Sequence, residues 1–244
     1  MIDINCDLGE SYGVYKLGQD SFMMPEVTSV NIACGFHAGD PQIISETIEM
    51  AIHHNLRIGA HPGFPDLQGF GRRNMVMTPN EIYNMVLYQI GAFSAFLKVH
   101  DYPLHHVKPH GALYNMAAVN EEYAAPIVRA IADFDSSIKL YALSGSILAT
   151  VAERAGLPVF HEVFADRTYQ NDGTLTPRSC KNALIKDDQQ AIQQVVNLVE
   201  SGKVLSVDGK WIPLKADTVC IHGDGEHALM FAQKLRKQLV KKEG

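Results

Sequence analysis

Short runs of apolar and β-branched residues alternate with amphipathic stretches from one end of the chain to the other. The strand-like runs are residues 2–7, 29–34, 56–61, 105–110, 139–143, 159–164 and 218–222. Between them, apolar side chains recur with the 3.6-residue period of a helix that buries one face. Ile44, Thr47, Ile48, Ala51 and Ile52 form one such stripe, and Ile82, Met85, Val86, Ile90, Phe93 and Leu97 a second. Ile192, Val195, Val196 and Val199 form a third. Helix starts are chemically marked: Thr78-Pro79-Asn80-Glu81 reads as a capping box with proline in the first turn, and Asp40-Pro41 as an N-cap carboxylate before proline. Strands that alternate with helices are parallel and joined by right-handed crossovers. With no linker or charge run between elements, the pattern predicts one α/β domain over residues 1–244, a (β/α)7-type barrel. Periodicity does not show closure, which leaves an open doubly wound sheet as the alternative.

Composition narrows the class. Of 244 residues, 46% are hydrophobic and 20% charged, enough apolar surface to offset chain entropy and exclude disorder. The net charge of −6 argues against nucleic acid. The one basic cluster (Lys234, Arg236, Lys237, Lys241 and Lys242) ends a helical pattern, where cations favour the negative end of the helix dipole. No apolar run approaches the ~18 residues that suggest a membrane span. Cys6, Cys34, Cys180 and Cys220 show neither zinc-site nor disulfide spacing. Cys34, in an apolar strand, reads as a buried structural thiol rather than a nucleophile. The first seven residues lack the basic and apolar regions of a secretory signal, so the expected location is the cytoplasm.

Most strands run straight into glycine, histidine and carboxylate. The segments are Asn5-Cys6-Asp7-Leu8-Gly9-Glu10, then Cys34-Gly35-Phe36-His37-Ala38-Gly39-Asp40, then Gly59-Ala60-His61-Pro62, then Val107-Lys108-Pro109-His110-Gly111. Glu162, Asp166 and Arg167 follow around the sixth strand, and His222 and Asp224 at the last. In a parallel barrel these strand ends share one face, where the βα loops build the active site. Tuned carboxylates and imidazoles transfer protons near neutral pH. Lys108 or Arg167 can balance oxyanionic charge or hold a carboxylate or phosphate. Arg72-Arg73, after Gly69-Phe70-Gly71, offers a second anion clamp, with surface pairing to nearby acids as the alternative. Asp7, His37, His61 and His110 are also the donor types of a divalent metal site, although helical H-E-x-x-H spacing is absent. The loop over residues 166–177, with its Asn171-Asp172-Gly173 turn, is long enough for a lid, and Trp211 reads as a cover for the barrel edge.

The usual phosphate cradles and the G-x-S-x-G nucleophile elbow are missing. The polar segments nevertheless resemble, in order and over nearly the whole chain, the LamB/YcsF family. The resemblance also includes Gly69 to Arg73, Val107 to Asn115, and Glu162-Val163-Phe164-Ala165-Asp166-Arg167-Thr168-Tyr169. It implies a seven-stranded β/α barrel similar to the glycoside hydrolase/deacetylase superfamily. It further implies ATP-dependent opening of the 5-oxoproline lactam to L-glutamate, in a complex with two further 5-oxoprolinase subunits, B and C. Under that reaction Asp7 or Glu10 is the general base, and His61, His110 and Lys108 stabilise developing charge. Arg72 or Arg167 holds the substrate carboxylate or phosphate, with His37, Asp40, Glu162, Asp166, His222 and Asp224 as further substrate contacts. Without a P-loop, some or all of the ATP site is expected on partner subunits. The rival readings are a stand-alone metal-dependent amidohydrolase or deacetylase and a non-catalytic regulatory protein that binds a small anion; homo-oligomerisation stays open.

Overall fold

Asp3, Asn5 and Asp7 alternate with Ile4, Cys6 and Leu8 along the first strand, β1 (Asp3–Leu8), a period that sends the two sets to opposite faces. The computed structural model, which describes residues 2–221 and 228–240, shows where those faces go. After β1 come β2 (Ser29–Ala33), β3 (Arg57–His61), β4 (His106–Val107), β5 (Lys139–Leu143), β6 (Val159–Phe164), β7 (Lys203–Leu205), β8 (Trp211–Pro213) and β9 (Thr218–Ile221). Seven of them close a parallel barrel in the order β1-β2-β3-β4-β5-β6-β9. Closure is made by β9, which pairs Cys220 with Asn5 of β1 and with Phe164 of β6. The barrel alternative therefore holds over the open sheet.

Two details depart from the sequence pattern. The fourth strand, expected over 105–110, pairs only at His106 and Val107. Pro109 has no N–H to give to a ladder, so the chain continues beside β3 through single bonds, Lys108 N to Ala60 O at 3.0 Å and His110 N to Pro62 O at 2.8 Å. Strands β7 and β8 form a separate antiparallel pair whose three-residue members are too short to show a period; Trp211 lies on it and is exposed.

The helices, in chain order, are α1 (Asp20–Met23), α2 (Pro41–His53), α3 (Pro79–Val99), α4 (Gly111–Val119), α5 (Glu121–Asp135), α6 (Ile147–Arg154), α7 (Asp188–Ser201) and α8 (Ala228–Val240). Ile43, Ile44, Thr47, Ile48 and Ala51 are the buried face of α2, against which the outward Ile32 of β2 and Ile58 of β3 belong to the same apolar cluster. The capping box is formed as expected: Glu81 N donates to Thr78 Oγ1 and Thr78 N donates to Glu81 Oε2. No helix among the described residues is long and apolar enough to cross a membrane.

The lumen is polar, unlike the aliphatic layers usual in such barrels. At one end Asp3 Oδ2 accepts from Ser29, Tyr141 and Thr218 hydroxyls at 2.8, 3.0 and 2.6 Å. Above it, Asn31 Oδ1 accepts from His106 Nε2 at 2.6 Å, while Asn31 Nδ2 donates to both Asn5 Oδ1 and Asp7 Oδ1 at 2.8 Å. Gly59 leaves the room for His106, because a Cβ there would overlap the imidazole. Every one of these buried groups has a partner, which is the condition for placing them in a core at all.

Candidate functional site

The barrel's C-terminal mouth opens into a cavity of about 670 Å³, lined in part by Asp7, Glu10, His61, Arg72, Lys108, His110 and Arg167. That volume suits a small-molecule site. At its floor, Lys108 Nζ lies 2.9 Å from Asp7 Oδ1 and 2.8 Å from Glu162 Oε1, with the lysine side chain only 3% exposed. Burial opposes the ammonium charge, but the carboxylates of Asp7 and Glu162 outweigh it and hold the lysine pKa above its ordinary value. Glu162 is itself held from behind by Asn5 Nδ2 at 3.0 Å and the Tyr114 hydroxyl at 2.6 Å. Burial and that same carboxylate push the Tyr114 phenol up.

Beside this charged floor stand three imidazoles and a glutamate. His61 Nδ1 donates to Lys108 O at 2.7 Å, and His110 Nε2 donates to Phe70 O at 2.8 Å. Phe70 and Gly71 both adopt left-handed backbone, φ 53° and 61°, an uncommon conformation for phenylalanine. Gly71 also lets the chain pass close to His37 and His110, which a Cβ would meet at 2.7 and 2.8 Å. The remaining nitrogens, His61 Nε2 and His110 Nδ1, face each other at 2.9 Å. His37 stacks on His110 with ring centroids 3.7 Å apart, and its Nε2 is 3.3 Å from Glu10 Oε1. Asp7 Oδ2 is 3.4 Å from His61 Nε2. Burial, then neighbouring imidazoles, holds His37 and His110 well below the usual histidine pKa.

The walls come from loops. Asp172, Thr174, Leu175 and Pro177 of the long loop after β6 line the cavity, and the expected turn is present, with Gln170 N bonded to Thr174 O at 2.8 Å and Gly173 at φ 83°. Arg72 lies 4.9 Å over the Phe70 ring, whereas Arg73 pairs with Asp66 away from the cavity. Of this arginine pair, Arg72 borders the cavity and Arg73 makes the surface pairing.

Several expected substrate contacts lie elsewhere. Asp40 caps α2, accepting from Gln42 N and Ile43 N at 2.9 and 3.0 Å, and also holds Gly13 N at 2.7 Å. Glu162 is fully buried beneath the floor and acts on the cavity through Lys108. Arg167 borders the cavity, but its guanidinium is spent on Ala183 O and Thr176 O at 3.3 and 2.7 Å, tying down the loop; burial lowers its pKa to about 10. His37 stands behind His110, and Asp166 is not among the lining residues. His222 and Asp224 lie outside the described residues. Sequence reasoning missed Asp20, Asn74, Tyr114, Asn115 and Arg178, all of which line the cavity. Tyr114 and Asn115 carried a signal, since they follow His110-Gly111 by one helical turn in α4. Cys34 is buried, with its thiol pushed up to about 12 by burial.

The LamB/YcsF family profile matches residues 2–244. The A component of 5-oxoprolinase from Bacillus licheniformis is 58% identical over 238 residues, covering 98% of this chain and 94% of that protein. Its counterpart in Bacillus subtilis is 57% identical, covering 98% and 93%. Among solved structures, a "Lactam Utilization Protein" from Thermus thermophilus superposes with a TM-score of 0.94 at 45% identity, covering 99% of this chain and 97% of the other. With matches of this extent over the strands and loops that build the cavity, the chain belongs to the LamB/YcsF family.

Proposed function

We propose that this chain is the lactam-opening component of an ATP-dependent 5-oxoprolinase, working on 5-oxoproline activated at its carbonyl oxygen. The observation that carries the reading is the Asp7 carboxylate held at the cavity floor between Lys108 and His61, in a chain whose relatives are named for 5-oxoproline and lactams.

The chemistry explains the need for ATP. An amide carbonyl is a weak electrophile and its nitrogen a poor leaving group. Phosphorylation of the carbonyl oxygen makes C5 attackable by water. Asp7 takes the water's proton, and the C5–N bond breaks as nitrogen is protonated, leaving a γ-acyl phosphate. A second water then releases phosphate and L-glutamate. Lys108 forms the electrophilic side of the site, a preorganised charge for the developing oxyanion, with His61 and His110 beside it. Arg72, on the wall, is the anchor for the substrate's carboxylate or phosphate. Since the chain lacks a P-loop, the nucleotide is assigned at least in part to the partner subunits B and C.

Reconstitution with candidate B and C subunits, following 5-oxoproline loss and ADP formation together, tests the reading. Omitting this chain abolishes glutamate release, and Asp7→Asn lowers it by roughly 10²–10⁴-fold, the usual worth of a general base. Lactam cleavage that persists without the chain, or near-normal turnover in Asp7→Asn, overturns it.

A further inference from the structure

We infer that Glu10, His37, His61 and His110 form a binding site for one divalent ion of the zinc class, with Asp7 next to the ion's ligands rather than among them. Two backbone carbonyls fix the protons on the rings. An oxygen of this kind only accepts hydrogen bonds, so Lys108 O at 2.7 Å puts the His61 proton on Nδ1, and Phe70 O at 2.8 Å puts the His110 proton on Nε2. In the neutral rings the other two nitrogens each present a lone pair. Those lone pairs point at one another across 2.9 Å in a buried site, an arrangement that repels unless an electrophile is shared between them.

A proton would satisfy that one pair, but the geometry offers more donors than a proton uses. Glu10 Oε1 lies 3.5 Å from His110 Nδ1 and 3.3 Å from His37 Nε2. One donor atom from each of the four residues falls within 4.8 Å of all the others. Ligand atoms of a tetrahedral N/O site with bonds near 2.0–2.1 Å stand about 3.3 Å apart, and the separations of 2.9, 3.3 and 3.5 Å bracket that value. The hydrogen bonds behind His61 and His110 are also what metal-bound histidines need, because a carbonyl on the far nitrogen fixes the ring's orientation and its tautomer. Three imidazoles and one carboxylate suit zinc and its transition-metal neighbours rather than magnesium or calcium. Asp7 Oδ1 is engaged by Asn31 and Lys108, and Asp7, although its Oδ2 lies 3.4 Å from His61 Nε2, falls outside the group whose donors all lie within 4.8 Å of one another. His37 lacks a carbonyl behind it, and its buried Nδ1 has no hydrogen-bond partner, so this ring contributes least to affinity.

The test uses the full chain alone, stripped with a chelator and then titrated with Zn²⁺ by calorimetry and with Co²⁺ by visible absorption. The expected result is one ion per chain and the absorption of a tetrahedral cobalt centre. His61→Ala and His110→Ala each weaken binding by a hundredfold or more, His37→Ala by less, and Glu10→Gln alters the cobalt spectrum while keeping the side chain's shape. Melting curves of the metal-free variants, matched to the metal-free wild type, show that the fold persists; should the alanine variants fail to fold, Glu10→Gln decides alone. Absence of saturable binding by the wild type, or binding unchanged in these variants, overturns the inference. Because no substrate or partner protein is present, this outcome is independent of whether the reconstituted complex opens a lactam.

Discussion

Lys108 Nζ and Asp7 Oδ1 meet at 2.9 Å across the barrel lumen, although 101 residues separate them in sequence. Lys108 and Glu162 are buried and Asp7 largely so, and one ammonium is shared between the two carboxylates. Breaking a buried ion pair by removing one partner is far more damaging than breaking one at the surface, because the remaining charge stays desolvated. Lys108→Met is therefore expected to lower unfolding free energy by about 3–5 kcal/mol, measured by urea denaturation, and adding Glu162→Gln in the same chain restores part of the loss. A decrease below about 1 kcal/mol, the range of exposed pairs, contradicts this account of the floor.

The adjacent arginines separate function from surface pairing. Arg72 lines the cavity, while Arg73 is bonded to Asp66 through Nε at 3.0 Å and has a largely exposed side chain. In the reconstituted complex, Arg72→Ala is expected to raise KM for 5-oxoproline roughly ten- to a hundredfold, as for the loss of a charged hydrogen bond. Arg73→Ala leaves KM unchanged. Equal effects at both positions remove the anion clamp from Arg72.

Acid weakens the fold through buried histidines, His105 and His106 as well as His37 and His110 at the site. Burial, with Lys139 and Arg57 nearby, lowers the His105 pKa to about 4. Burial, with His105 and Lys108 nearby, holds His106 well below its ordinary value. In the unfolded chain both return to about 6.5. Between those limits the unfolded state binds more protons, so stability rises with pH there. The contribution is complete above about pH 6.5 and is lost as pH falls toward 4. Urea midpoints measured from about pH 7.5 down to about 4.5 are expected to fall through that window, less steeply in His105→Gln. A flat profile would mean that these rings take up protons in the folded chain as readily as in the unfolded one.

Much of the architecture is legible in the chain itself. Strand and helix periods are local, and so are the caps: Thr78 and Glu81 find each other within one turn, and Asp40 needs only the backbone N–H groups of Gln42 and Ile43. Parallel topology then places every strand's C-terminal end on one face, which is why Asp7, His61, Lys108 and His110 are recognisable as neighbours. Local pattern failed where a backbone group's partner was decided elsewhere. Pro109 shortened β4, and Asp3, Asn5 and Asp7, a polar face unlike the apolar faces of an ordinary parallel strand, point into a closed lumen.

What the sequence determined by itself is the repeat, its handedness and which strand ends bear reactive groups, because these follow from nearest-neighbour chemistry and from chirality. Only the tertiary structure decided the assignments among those groups. It put Glu162 beneath Lys108, gave Arg167 to the loop backbone, and grouped Glu10 with all three imidazoles while Asp7 meets His61. Those choices depend on distances between side chains dozens of residues apart, which barrel closure and strand stagger set and no local pattern encodes.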